Sequence, residues 1–101
     1  MIETYVKSYK EVISQVDEES LALFYLSMEV GKKYASLFRK DTKPSASLYY
    51  SSGNRLRYND FKNNYSLLEV IQFVLDLSYN DILKQISSDL NIHQGLSSRT
   101  L

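Results

Sequence analysis

The chain has 101 residues, 44% of them apolar and 24% charged, with twelve basic and twelve acidic side chains and no cysteine. That length suits one domain with a modest core, and the apolar share argues against a disordered chain. No apolar run nears the roughly 20 residues that span a bilayer, and a chain without cysteine forms no disulfide.

The opening third reads as two helices. In Thr4–Val16 the apolar residues Tyr5, Val6, Tyr9, Val12, Ile13 and Val16 recur at helical steps. The pattern restarts after Asp17, whose carboxylate can cap free backbone N–H groups, with Glu18 and Glu19 suiting the positive end of the helix dipole. Leu21, Phe24, Tyr25 and Met28 form the predicted buried face, and Gly31 is the predicted stop.

The middle third changes period. "SASLYY" (45–50) and "RLRYNDF" (55–61) alternate polar and apolar residues, and "SSGN" between them is of hairpin length. Alternation predicts Ala46, Leu48, Tyr50, Leu56 and Tyr58 facing inward, with Ser47, Tyr49, Arg55 and Arg57 on the other face. The last third is helical again. Ser66 with Glu69, and Ser78 with Asp81, are predicted capping boxes. Leu67, Val70, Ile71, Val74 and Leu75 make one apolar face, and Ile82, Leu83, Ile86 and Leu90 another. The fold class is therefore α+β: a small antiparallel sheet or hairpin flanked by two N-terminal and two C-terminal helices. Residues 1–92 form a single domain with a helical part (1–31), a basic β part (32–62) and a second helical part (63–92). Residues 93–101 are a predicted flexible tail.

The zero net charge hides a partition. Residues 1–31 carry two bases and six acids, residues 32–62 eight bases and two acids, and residues 63–101 two bases and four acids. The central third is also aromatic, with Tyr34, Phe38, Tyr49, Tyr50, Tyr58 and Phe61. Bases beside rings suit single-stranded nucleic acid, whose phosphates meet Lys or Arg while unpaired bases stack. The competing reading, rings in the core and charges solvated outside, stays open at this point. Enzyme chemistry has little to stand on: one histidine (His93) allows no Ser-His-Asp set, and three glycines give no phosphate loop.

The stretch from Gly31 to Phe61, an amphipathic helix, and then "LSYNDILKQISSDLNI" (77–92) resemble, in that order, the N-terminal zinc-ribbon domain of bacterial and phage DNA primases, in its degenerate phage-type form. Ser36-Leu37-Phe38-Arg39 stands at that family's first knuckle, the segment ending in Pro44-Ser45 follows it, and "RYNDFKNN" (57–64) replaces the second knuckle. The resemblance covers about residues 22–92. Zinc needs four soft or imidazole ligands; with no cysteine and His93 outside the knuckles, a site of the family type is absent and no cofactor is expected. Packing of Phe38, Tyr58 and Phe61 is expected to hold the knuckles instead.

The resemblance implies a non-catalytic module of a phage-type replication protein that engages single-stranded DNA or RNA, with Arg39, Lys40 and Lys43 at the proline turn, Arg55, Arg57 and Lys62 on the hairpin, and Tyr49 as a stacking face. The family's chemistry belongs to a separate domain, so no catalytic residue is assigned. A different reading also stays open: a small phage-encoded inhibitor that reuses the ribbon to bind a replication protein or host nuclease, with Asp17, Glu18 and Glu19 touching a basic surface. Either way the chain is expected in the host cytoplasm, away from membranes. A free-standing product and the first module of a longer primase fit equally.

Overall fold

The computed structural model describes residues 6–38, 44–61 and 63–92. They form helices α1 (Tyr9–Gln15) and α2 (Glu18–Leu26), strands β1 (Ala46–Tyr50), β2 (Leu56–Asp60) and β3 (Asn63–Ser66), and helices α3 (Leu67–Leu75) and α4 (Tyr79–Ile92). The fold is α+β, with one antiparallel sheet in the order β1-β2-β3. No helix among the described residues is long and apolar enough to cross a membrane. The predicted tail, 93–101, lies outside the described residues.

Caps set most helix ends. α1 starts later than its apolar period suggests, because Ser8 and Glu11 make a capping box. Val6 therefore lies ahead of the helix. Asp17 caps α2 through Ser20 N–H at 2.7 Å, as expected. That helix ends at Ser27, not at Gly31: Ser27 adopts φ 56° and its N–H bonds the carbonyls of Ala22 and Leu23. The turn drops Met28 into the core and leaves Phe24, placed inward by the period, 44% exposed. Ser66 and Glu69 complete the predicted box on α3, and Ser78 Oγ accepts Asp81 N–H at 3.2 Å before α4.

The hairpin register pairs Ala46 with Asp60, Leu48 with Tyr58 and Tyr50 with Leu56. The inward assignment holds for Ala46, Leu48, Leu56 and Tyr58, all buried. Tyr50 departs from it: the ring stays about half exposed and its hydroxyl donates to Glu19 on α2. The third strand is additional to the predicted hairpin. It pairs Tyr58 with Tyr65 and Asp60 with Asn63, after a turn in which Phe61 takes φ 52°. Tyr34 adds a bridge to Ala46.

One core gathers the inward strand residues with Val12, Leu21, Ile71, Ile82 and Ile86 from the four helices. Val74 and Leu75, predicted on the apolar face of α3, stay 40% and 36% exposed, beyond Ile71, the last buried residue of that helix. Polar ties cross the core. The Lys7 N–H donates to the buried Ser87 hydroxyl of α4 at 2.8 Å, and Tyr25 Oη donates to Asp89. Glu18 adds several more. Its side chain is 9% exposed, and it accepts from Tyr9 Oη at 2.7 Å and Leu56 N–H at 2.9 Å, with Arg55 Nε at 3.4 Å. One carboxylate thus joins α1, α2 and the start of β2.

The segment Ser36–Phe38 is held to the sheet by side chains. The Ser36 hydroxyl donates to the fully buried Asp60, and Leu37 N–H donates to Tyr58 Oη at 2.9 Å. Phe38 stacks on Tyr65 with centroids 4.4 Å apart, meets Tyr58 edge-on at 5.6 Å and touches Phe73 at 4.3 Å. Phe38 and Tyr58 act as expected. Phe61 does not: it is 71% exposed, because the left-handed turn carries it off the strand, and Tyr65 with Phe73 completes the cluster.

Two measurements check this account. Removing the Glu18 carboxylate leaves the Tyr9 and Leu56 donors without their acceptor, so Glu18→Ala should lose about 2–4 kcal/mol in urea unfolding. Arg55→Ala, which removes a half-exposed partner, should lose under about 1 kcal/mol. Second, burial, and then the hydrogen bond to a carboxylate, raise the Tyr9 and Tyr25 phenols well above their usual 10.0. A raised folded value means a contribution complete below pH 10 and lost as pH climbs beyond it. The urea midpoint should therefore fall above pH 10, and fall less steeply in the Tyr9→Phe, Tyr25→Phe double variant.

Candidate nucleic-acid interface

Alternation along the strands leaves one sheet face away from the core. It carries Ser47 and Tyr49 from β1, Arg57 and Asn59 from β2, and Asn64 and Ser66 from β3. Asn64 is exposed and the others are half-exposed. Polar side chains that need not be buried are what a solvent-facing sheet surface selects.

The register puts Tyr49 directly opposite Arg57, and Arg57 opposite Ser66. Asn64 ties the ladder together. Its Oδ1 accepts from Arg57 Nε at 2.6 Å, and its Nδ2 donates to Tyr49 Oη. The amide orientation follows, since only the oxygen can accept from a guanidinium. Arg57 is anchored through one nitrogen, leaving its two terminal NH2 groups to meet an anion. Tyr49 uses its oxygen as acceptor and keeps its own proton for donation. A cation, a ring and an amide are thus pre-positioned on one surface.

Arg55 lies elsewhere. Strand alternation predicts it beside Arg57 on the outer face, but it precedes the first residue of β2 and closes the hairpin loop, its carbonyl accepting Ser51 N–H at 2.9 Å. The guanidinium turns to the helices, beside Glu18 and 5.4 Å from the centroid of the Tyr9 ring. Burial of the Glu18 carboxylate draws the nearest cation to it, and Arg55 is that cation. Arg39, Lys40, Lys43 and Lys62 lie outside the described residues. Of the seven predicted binding residues, the structure therefore brings Tyr49 and Arg57 together and sets Arg55 apart.

Asn64 is the residue sequence reasoning missed. Its signal was available in "NNYS", where asparagine two residues from a capping serine shares the serine's face once a third strand is drawn. Without that strand the residue reads as loop. Glu69 borders this surface: its carboxylate is held below the ordinary range by the Ser66 N–H, then by the Ser66 hydroxyl, with a smaller contribution from Arg57.

The acidic run of α2 is largely engaged within the fold. Asp17 caps the helix, Glu18 sits under the hairpin and Glu19 accepts from Tyr50 Oη. Among the described residues no three His, Cys, Asp or Glu side chains are grouped to hold a metal ion. No family model, curated protein or solved structure matches the chain.

Proposed function

We propose that this chain is a non-catalytic, single-stranded nucleic-acid-binding module of a phage-type, primase-like replication protein, acting in the host cytoplasm. The observation that carries the reading is the outer sheet face, where Asn64 holds Tyr49 and Arg57 side by side with the Arg57 terminal nitrogens unspent. A ring for a base beside a guanidinium for a phosphate is the minimal unit of single-strand recognition. The central third of the sequence, with eight bases against two acids, also favours a polyanionic partner. The primase part of the reading rests on the order of the motifs from Ser36 to Ile92.

Support for this reading over an inhibitor docking through its acids comes from α2, where Glu18 and Glu19 already have partners in the hairpin. Those contacts leave less acidic surface to offer a basic protein.

Anisotropy of a labelled single-stranded oligonucleotide, with a duplex alongside and at two salt concentrations, tests the proposal. Binding should favour the single strand and weaken as salt rises. Arg57→Ala should weaken it and flatten the logarithmic salt slope by about 0.7, the share of one phosphate contact on a single strand. Tyr49→Ala should lose about 1–3 kcal/mol and Tyr49→Phe much less, since the stacking face survives. No binding at low salt would overturn the reading.

A further inference from the structure

A cleft of about 270 Å³ opens where the hairpin loop, the end of β3 and the first turn of α4 meet. Arg55 and Arg57 both line it. Tyr9, Glu18, Ser66 and Tyr79 line it as well.

Each arginine arrives with donors to spare. Arg55 engages Glu18 through Nε and lies over Tyr9, and Arg57 engages Asn64 through Nε. The terminal NH2 groups of both remain for an anion, and paired guanidinium forks match phosphate oxygens well. Glu18 is the acid in the cleft, but its oxygens already accept from Tyr9 and Leu56 and pair with Arg55 at 3.4 Å, and its side chain is 9% exposed. It presents little charge to an incoming anion. Tyr79, the first residue of α4, is 52% exposed and outside the core. An exposed ring beside two cations gains little from that position in the folded chain alone.

We propose that this cleft is a subsite for one nucleotide unit of a single strand, taking its phosphate between Arg55 and Arg57 and stacking its base on Tyr79. The inference rests on the nucleic-acid reading above and deepens it. Arg57 belongs to both surfaces, so a strand lying on Tyr49 passes into the cleft without leaving the protein. The volume lies at the small end of ligand sites, which begin near about 300 Å³. That size fits a single unit and not a run of bases.

The test combines variants with small probes. Tyr79→Ala and Tyr79→Phe are compared with the parent in oligonucleotide anisotropy, with urea midpoints as the control for folding. The Nε–H signals of the four arginines are followed by NMR while thymidine 5′-monophosphate, thymidine or inorganic phosphate is added. Tyr79→Ala should weaken oligonucleotide binding by roughly tenfold or more and Tyr79→Phe by little, as expected for loss of a stacked base. The monophosphate should shift the Arg55 and Arg57 signals more than either fragment does. If the parent binds the oligonucleotide, but Tyr79→Ala binds equally well and the Arg55 signal stays still, the subsite is overturned while the nucleic-acid reading stands. Equal shifts with phosphate and monophosphate would overturn the base-stacking half and leave an anion site. An oligonucleotide that fails to bind the parent at all would bring down both.

Discussion

A carboxylate taken out of water must be repaid by donors and charges, and Glu18 collects two hydrogen bonds and an ion pair from two parts of the chain. Tyr9 comes from α1, the Leu56 N–H from the start of β2, and Arg55 from the residue before it. Because Glu18 sits in the first turn of α2, the positive end of that helix adds to the stabilisation of its charge. An ion pair of this kind is weak evidence for net stability, since an apolar replacement can do as well. Its value here is positional. From the strand it is the N–H of Leu56 that reaches the carboxylate, so a one-residue slip of the hairpin would lose the bond and turn Leu56 and Tyr58 out of the core. The register in turn sets Tyr49 against Arg57, so the candidate interface depends on a contact made outside it.

A second buried acid governs the other end of the same strand. Asp60 continues the inward alternation of Leu56 and Tyr58, and its full burial is tolerable because the Ser36 hydroxyl donates to it. Ser36 also accepts the N–H of Phe38 at 3.1 Å, and Phe38 stacks against Tyr65. The chain from Asp60 through Ser36 to the rings runs polar to apolar without a gap. Side chains thus close the segment ahead of β1 onto the sheet: a serine–aspartate bond, the Tyr58 hydroxyl and the packed rings of Phe38, Tyr58 and Tyr65.

How much of this could be read beforehand depends on the range of the interaction concerned. Caps are local, so Asp17, Ser66 and Ser78 were legible from three or four neighbouring residues. Ser8 obeys the same rule with Glu11, and was obscured by the apolar period running through Tyr5 and Val6. Strand alternation located Leu48, Leu56 and Tyr58 correctly, because each touches the core through its own side chain. Tyr50 and Arg55 broke the pattern because distant acids, Glu19 and Glu18, redirect them across more than thirty residues of chain. β3 was invisible for a related reason. "NNYS" has a single apolar residue and acquires strand geometry from the backbone groups of β2, not from a pattern of its own. The site was therefore half legible: its residue types stood in the sequence, while Asn64, which orders them, needed the sheet.

The same contacts divide the basic residues into two kinds, which a count of charges would treat alike. Arg55 is neutralised at 3.4 Å by an acid that is nearly buried, so over a distance of about 8–10 Å, the reach of a charge at physiological salt, the pair presents little net field. Its terminal N–H groups still act at hydrogen-bond range. Arg57 is bound by a neutral amide and retains its full charge at the surface. Of the two, Arg57 is thus the one that acts at a distance, whereas Arg55 offers geometry at short range. A chain with no net charge can in this way present one arginine as a surface charge and the other as a fixed fork, because Glu18, the partner of the second, is spent inside the fold.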